Sequence, residues 1–225
     1  MPSRPQYFRI FLVGGVALAV VAGFINAVTI LSPGQVTATH VTGTVTRAAV
    51  AFADPKSGLD FRIAGLLVLS FIAGSAITGA ALDSTRLRLG RRYGGLLMLE
   101  SGLLVTSAMS FQEHLVQGLL LAALASGIQN ALATQYSQAI VRTTHVTGIV
   151  TDLGIALGKW VSRRGVDWWR VQIYFGILTG FAGGGMVGAL AWETLGARAL
   201  MIPAAVLAVM GVVYWAVRDR LLAIY

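Results

Sequence analysis

The sequence predicts an all-α fold: a polytopic transmembrane helical bundle of six spans plus two short re-entrant helices, built as two inverted repeats. Three observations predict it. Apolar runs of about 17–22 residues match the length that a helix needs to cross a bilayer. A short polar motif occurs twice, at an offset of 105 residues. The basic residues are distributed along the chain as cytoplasmic loops would require.

The composition sets the class of protein. Hydrophobic residues make up 56% of the chain and charged residues 12%, whereas soluble domains carry about 25% charged residues. The net charge of +8 fits an excess of Lys and Arg in cytoplasmic loops better than it fits a nucleic-acid partner. The absence of cysteine excludes a disulfide framework and thiolate chemistry. The expected partner is therefore the lipid bilayer, with no nucleic acid.

The repeat is carried by the stretch Thr39–Thr46, which recurs as Thr144–Thr151 with seven of eight positions identical. The segments Ala22–Ala27 and Ser126–Ala131 also resemble each other. The basic N-terminus and the apolar run that follows it resemble a signal peptide. Because this run belongs to the repeat, we expect it to be retained as part of the fold.

We expect one integral membrane domain over residues 1–225, because no Pro- or Ser-rich linker divides the chain. Repeat 1 covers about 8–111 and repeat 2 about 112–221. Each repeat holds three spans and one short motif helix. The predicted spans are 10–31, 63–82, 93–109, 115–136, 171–192 and 199–217. The predicted motif helices cover 40–53 and 145–160.

The motif helices are predicted to enter the membrane without crossing it. Their apolar cores of about 13–16 residues reach roughly 20–24 Å at 1.5 Å per residue. The hydrocarbon core is about 30 Å thick. With six spans and both termini cytoplasmic, 13 of the 17 Lys and Arg residues face the cytoplasm, whereas eight spans would place 11 there. The positive-inside rule therefore favours six spans.

Three spans per repeat is an odd number, so the second repeat enters the membrane from the opposite side. The halves are then related by a pseudo-two-fold axis in the membrane plane. The two motif helices would meet near the membrane midplane, one from each side. Extended backbone at that depth must be buried in protein or line a water-filled cavity.

The quoted motifs resemble the YoaK-like bacterial inner-membrane proteins, catalogued as domain-of-unknown-function family 1275. The resemblance covers nearly the whole chain, and Arg142-Thr143-Thr144 is its most specific part. It implies a multi-pass protein of the bacterial plasma membrane and brings no settled activity. Family members often carry Tyr or Met near the start of the motif, whereas both copies here read His-Val. The matching segments are Gly23–Ala27, His40–Gly43, Gln129–Ala131 and Val141–Gly148.

The candidate site lies where the two motif helices begin. Half-helix N-termini present free N–H groups and positive dipole ends, which suit an anion or a polar solute. A purely structural role is the alternative: Thr39 and Thr144, or Thr42 and Thr147, would cap the helices, and the motif glycines would let another helix come close. The residues predicted to contact a solute are His40, Thr42, Gly43, Arg142, His145, Thr147, Gly148, Asn26 and Asn130.

Asn26 and Asn130 occupy equivalent positions in the first span of each repeat. A buried amide in a membrane must be hydrogen-bonded. These residues are expected either to hold the extended segment that precedes the motif helix or to contact solute, and the first role is favoured.

Two acidic residues are candidates for proton or ion coupling. Glu100 lies near the middle of a span, at a place where the resembling family often has Leu-Leu-Glu, and its insertion costs about 2.5–3.5 kcal/mol. A structural ion pair with Arg142 or Arg47 is the alternative. Asp152 occupies the repeat position of Arg47, so the two are expected either to pair with each other or to be solvated near opposite membrane surfaces.

The predicted function is transport of a small polar or anionic solute, by a transporter or channel with a midplane site between the two motif helices. The alternatives are a membrane-embedded enzyme and a structural membrane protein. The sequence carries no nucleophile-elbow, Walker or metalloprotease motif, so it predicts no enzyme, and the histidine spacing supports no metal site. No cofactor is expected, and a homo-oligomer is left open.

Overall fold

The computed structural model of the protein describes residues 8–54, 61–82, 91–136 and 144–223. The described residues form eight α-helices, with a short 3₁₀ helix (Gly196–Leu200) before the last one. The helices are α1 (Phe8–Leu31), α2 (Val41–Ala53), α3 (Phe61–Ala81), α4 (Arg91–Ser110), α5 (Leu115–Tyr136), α6 (Val146–Val161), α7 (Trp168–Leu195) and α8 (Met201–Ala223). The all-α fold is confirmed, since no strand occurs in these ranges.

The helices follow the apolar runs of the sequence. α5 begins and ends at the predicted residues, and α7 extends three residues beyond the prediction at each end. By length and composition, four described stretches can cross a membrane, and the last of them includes both α7 and α8. They are Leu12–Leu31, Phe61–Ala81, Leu115–Gln135 and Trp168–Ala216. α4 is less apolar because it contains Glu100 and several Ser and Gly residues.

α1 and α7 pack in parallel, with backbone against backbone. Glycines on both helices make the close approach possible: an added Cβ at Gly184 would overlap the carbonyl oxygen of Val20, and one at Gly23 would overlap that of Phe181. Glycine is the residue that permits such a contact between membrane helices. Residue numbers rise together along the pair. The contacts run from Leu12 with Gly176, through Val20 with Gly184, to Phe24 with Gly188.

α3 and α5 make the same kind of contact at equivalent positions of the repeat. A Cβ at Gly127 would overlap the carbonyl oxygen of Phe71, and one at Gly74 would overlap that of Leu124. Each of these pairs is the repeat counterpart of a pair between α1 and α7. Thr78 adds a hydrogen bond across the contact, to the carbonyl oxygen of Ile128 at 3.3 Å. Each repeat therefore packs its first helix on the third helix of the other repeat.

α4 and α8 pack antiparallel. The Ser101 hydroxyl donates to the carbonyl oxygen of Ala204 at 2.7 Å. Gly94, seven residues before Ser101 on α4, lies against Gly211, which comes seven residues after Ala204 on α8. The rings of Tyr93 and Tyr214 follow, with centroids 5.0 Å apart. Residue numbers therefore rise on one helix as they fall on the other.

The two motif helices lie at the periphery of the bundle. α2 packs mainly on α3, and α6 mainly on α7. Most of their side chains are partly or fully exposed, with only Thr44 and Ala51 buried on α2 and Ile149 on α6. The most deeply buried apolar side chains lie instead on the long helices α1, α4, α5, α7 and α8 and on the 3₁₀ helix.

Candidate functional site

A hydrogen bond between an asparagine and a threonine occurs at the same place in both halves. The Thr39 hydroxyl donates to Oδ1 of Asn26 at 2.8 Å, and the Thr144 hydroxyl donates to Oδ1 of Asn130 at 2.9 Å. Both hydroxyl-bearing residues are buried. The asparagines thus hold the segments that precede α2 and α6, which is the first of the two roles expected for them. We call this pair of contacts the Asn–Thr clasp.

The first connector, residues 32–40, is held further by hydroxyl groups. The Thr29 hydroxyl accepts a hydrogen bond from the backbone N–H of Ala38 at 3.3 Å. The Thr37 hydroxyl donates to the carbonyl oxygen of His40 at 3.0 Å and lies 3.4 Å from the Thr44 hydroxyl. A backbone that leaves a helix inside a membrane needs such partners, because lipid offers none.

A histidine, rather than a threonine, stands at the N-cap position of each motif helix, and only the first one caps its helix with its side chain. His40 is the N-cap of α2, and its Nδ1 accepts from the backbone N–H of Gly43 at 3.3 Å. His145 is the N-cap of α6 but makes no side-chain capping bond. The expected threonine caps do not occur in the described structure: histidines stand at the N-cap positions, and Thr39 and Thr144 donate in the Asn–Thr clasp instead. A side-chain acceptor three residues before a free N–H satisfies it just as a Ser or Thr cap would.

Gly43 and Gly148 make room for these histidines rather than for another helix. A Cβ at Gly43 would lie 3.3 Å from Nδ1 of His40, and one at Gly148 would overlap the ring of His145. Among the described residues, the side chain nearest to each motif glycine is its own N-cap histidine and not a second helix, which contradicts the expected role of these glycines in helix packing.

The other predicted contact residues do not form one cluster among the described residues. Thr42, Thr147 and His145 are exposed, and His40 is half-buried. α2 and α6 do not pack extensively on each other in the described part of the chain. Arg142 lies outside the described residues. The structure therefore presents two equivalent polar helix starts, one in each half.

Arg47 and Asp152 do not pair. The Arg47 guanidinium donates to the carbonyl oxygen of Gln35 at 2.7 Å, within its own half. Asp152 is exposed on α6, and among the described residues no salt bridge joins it to Arg47. The prediction of solvated, separate charges fits this arrangement better than the prediction of a pair.

Glu100 is fully buried, with 0% exposure, and neither of its carboxyl oxygens has a hydrogen-bond partner among the described residues. An ion pair with Arg47 is excluded, because Arg47 is held at Gln35. A buried carboxyl group without a partner is costly in free energy. In membrane proteins, such residues commonly mark proton or ion pathways.

Gln129 was not among the sequence candidates. It is 1% exposed on α5, and its Nε2 donates to the carbonyl oxygen of Leu18 on α1, while its Oε1 has no partner in the described structure. The signal was present in the sequence: an amide stands in an apolar span, at the repeat position where the first half has Ile25.

No group of three or more His, Cys, Asp or Glu side chains within the described ranges is placed to hold a metal ion. The model of one protein family, described as protein of unknown function (DUF1275), matches residues 14–213. No curated protein and no solved structure matches the chain.

Proposed function

The chain belongs to the DUF1275 family, and from the repeated helix starts of its two halves we propose that it is a small-solute transporter or channel of the bacterial inner membrane. It has six spans, two re-entrant motif helices and two inverted repeats, with a solute site between the motif helices. The observation that supports this membrane topology is the set of directions in which neighbouring helices pack.

The directions support six crossings. α4 and α8 pack antiparallel, so an even number of the three helices between them crosses the membrane. Since α5 and α7 are both long and apolar enough to cross, α6 is the helix that does not. α1 and α7 pack in parallel, so an odd number of the five helices between them crosses. With α3, α4 and α5 crossing and α6 not, α2 does not cross either.

Three crossings per half turn the second half over. The glycine contacts between the halves then support an inverted repeat, because those of α1 with α7, α3 with α5 and α4 with α8 have counterparts when the halves are exchanged. The contact of Gly94 with Gly211 corresponds to that of Ala204 with Ser101. This exchange is the behaviour expected of a pseudo-two-fold axis in the membrane plane.

The motif helices carry polar groups that lipid would not solvate. Thr42, Thr147, His145 and Asp152 are exposed, beside exposed apolar side chains of the same helices such as Phe52 and Leu157. Polar side chains at membrane depth face a cavity or a partner. We assign these groups to a water-filled pathway that reaches one motif helix from each side of the membrane.

Each candidate has a role in this pathway. The exposed hydroxyls of Thr42 and Thr147 and the free N–H groups of the first helical turns would bind a small anion or polar solute. Arg142 would supply positive charge, and the histidines would shape the entry. Asn26 and Asn130 would hold the helix starts in place through the Asn–Thr clasp. Glu100, with Asp152 at the entry, would couple transport to an ion.

Cysteine labelling tests the topology, since the chain has no native cysteine. Gln112 lies in the turn between α4 and α5, and Gly165 in the turn between α6 and α7. In intact cells, an impermeant maleimide should label Gln112→Cys and should label Gly165→Cys only after permeabilisation. Eight crossings would put the two positions on the same side of the membrane. Equal labelling of both variants in intact cells would therefore reject the six-span arrangement.

A thermal-shift screen of small anions, amines and sugars on the purified protein tests the solute site. A stabilising solute should lose its effect in Thr42→Val and Thr147→Val. Thr179→Val is the matched control, because Thr179 is an exposed threonine on α7 that bonds only to its own helix. The hit should then accumulate in proteoliposomes. Binding that survives both motif variants would place the site elsewhere.

A structural membrane protein is the second candidate. The observation that favours it is the Asn–Thr clasp, which by itself accounts for much of the repeated motif. If no solute in the screen shifts the melting temperature and no flux is found, this reading replaces transport.

A further inference from the structure

Three buried acceptor atoms without partners lie on two neighbouring helices. Among the described buried side-chain atoms, those lacking a hydrogen bond are Oε1 and Oε2 of Glu100, Oε1 of Gln129, and Nε1 of Trp169. The first three are oxygens on α4 and α5, which follow each other through a short turn. The Trp169 donor lies on α7. Oxygens that only accept cannot satisfy one another, so this region lacks a donor hydrogen.

The register of α4 and α5 brings these oxygens toward one another. The Ser107 hydroxyl donates to the carbonyl oxygen of Gly118 at 2.7 Å and fixes the level at which the antiparallel helices meet. Glu100 stands two turns before Ser107, on the same face of α4. Gln129 stands three turns after Gly118, on the same face of α5. At 1.5 Å per residue, their Cα levels differ by roughly 6 Å along the helix axes.

The directions of the two side chains reduce this difference in level between Glu100 and Gln129. Helical side chains tilt toward the N-terminus of their own helix. On α4 that direction leads away from the turn, and on α5 it leads toward the turn. Glu100 and Gln129 therefore lean toward each other. Gln129 is fixed by its bond from Nε2 to Leu18 on α1, which leaves Oε1 as the atom that needs a donor.

We propose that Glu100 and Gln129 form an internal proton-binding site, in which the protonated carboxyl group of Glu100 donates its hydrogen to Oε1 of Gln129. One proton supplies the missing donor and removes the buried charge together. The proposal identifies the ion at Glu100 as a proton, and only its coupling to solute movement rests on the proposed function.

Among the described residues, no cation forms a salt bridge with Glu100 that would replace the proton. α5 contributes no charged side chain against Glu100 in its described part. α4 contributes Tyr93, and α8 contributes Tyr214, which packs on Tyr93. Arg198 on the 3₁₀ helix is exposed. Because Gln129 also holds Leu18, loss of the proton would disturb the contact between α5 and α1 at the centre of the bundle.

The repeat supplies a natural control for this pair. The position equivalent to Glu100 in the second half is Met210, and the position equivalent to Gln129 in the first half is Ile25. The chain thus carries apolar residues at both of the equivalent positions. The double variant Glu100→Met with Gln129→Ile would make the two copies alike.

Infrared spectroscopy of the purified protein at neutral pH tests the site without any transport measurement. The wild type should show a carbonyl band of a buried, hydrogen-bonded carboxylic acid. Glu100→Gln should abolish it, and Gln129→Ile should shift it to higher frequency because the acceptor is lost. A spectrum in which Glu100→Gln removes only carboxylate bands would overturn the proposal, as would a Glu100 band that Gln129→Ile leaves in place.

A double-variant cycle covers the case in which a single variant does not fold. Each single change should lower the melting temperature, and the double change should recover much of the loss because no polar group is then left alone. Additive losses would reject the pairing. Transport without the acid band would reject the proton site alone, whereas the acid band without any transport would reject only the proposed function.

Discussion

The two motif regions have nearly the same sequence but differ in the hydrogen bonds at the start of their helices, α2 and α6. Both use the Asn–Thr clasp, with hydrogen bonds of 2.8 and 2.9 Å. In the first half His40 is half-buried and bonds to the N–H of Gly43. In the second half His145 is exposed and makes no capping bond. The clasp therefore belongs to the repeat, whereas the histidine has a different role in each half.

The flanking residues give a physical reason for the difference. Thr37 lies 3.4 Å from Thr44 and closes the start of α2 with hydroxyl groups. The equivalent positions in the second half are Arg142 and Ile149. Ile149 offers no hydrogen bond and is buried against the bundle. In the described structure the first helix start is thus closed by its own hydroxyl groups, whereas the side chain of His145 makes no capping bond at the second.

The largest expected effect on stability concerns the glycine contacts between helices, which occur at equivalent positions in the two halves. Gly74→Ala and Gly184→Ala each place a Cβ into a carbonyl oxygen of the facing helix, and backbone cannot move aside cheaply. Each should cost more than about 3 kcal/mol, at or beyond the upper end of overpacking. Folded yield by size exclusion and melting in detergent measure the loss. Gly79→Ala and Gly183→Ala are the controls, because nothing lies within 4 Å of their added Cβ atoms.

Similar losses at Gly74 and Gly184 would support equivalent packing in the two halves. A large loss at one and none at the other would show that only one half depends on the glycine contact, and the exchange symmetry would then fail.

The Asn–Thr clasp should contribute equally in both halves. Asn26→Leu and Asn130→Leu keep the branching and the number of side-chain heavy atoms but leave a buried threonine hydroxyl without its acceptor, at a cost of about 1–3 kcal/mol each. Chemical denaturation measures this cost. Adding Thr39→Val to Asn26→Leu should recover part of the loss, because both partners are then apolar. A single change without cost would mean that the clasp is not a source of stability.

The helices were predictable from the sequence because each one is a largely apolar run, and α5, for example, contains no charged residue. The role of Asn26 and Asn130 was predictable because a buried amide in lipid needs a partner. The identity of the residues at the N-caps of α2 and α6 was not predictable. Capping preferences favour threonine over histidine, and only the coordinates show that Thr39 is already used as a donor.

The surroundings of Glu100 could not be predicted from the sequence, for a related reason. Opposite charge suggested Arg47 or Arg142 as partners, whereas the partner that we propose is a neutral amide, Gln129, on the next helix, whose Oε1 is also buried without a hydrogen bond. Which residues of α4 face α5 depends on the register fixed by Ser107, and a hydrophobic pattern that is apolar on all sides does not reveal that register.

Replacing the two N-cap histidines should have different effects on stability in the two halves. His40→Ala removes a capping acceptor and should cost about 1 kcal/mol. His145→Ala removes no hydrogen bond and should leave stability unchanged. Solute binding, once found, should show the reverse order, since His145 is the exposed ring. The two melting curves and the two binding isotherms make the comparison, and a destabilised His145→Ala would contradict the view that its ring is free.

The smallest effect concerns the charges two turns after each histidine. Arg47 donates to the carbonyl oxygen of Gln35 from an exposed position, so Arg47→Ala should cost at most about 1 kcal/mol. Asp152 makes no bond or ion pair in the described structure, so Asp152→Asn should not change the melting temperature. The isosteric change removes only charge, and any loss of transport would therefore report on the pathway rather than on folding. Because no salt bridge joins the two residues, the double variant should show the sum of the single effects on stability. A coupling between Arg47 and Asp152 in that cycle would mean that the two motif helices approach each other in another state of the protein.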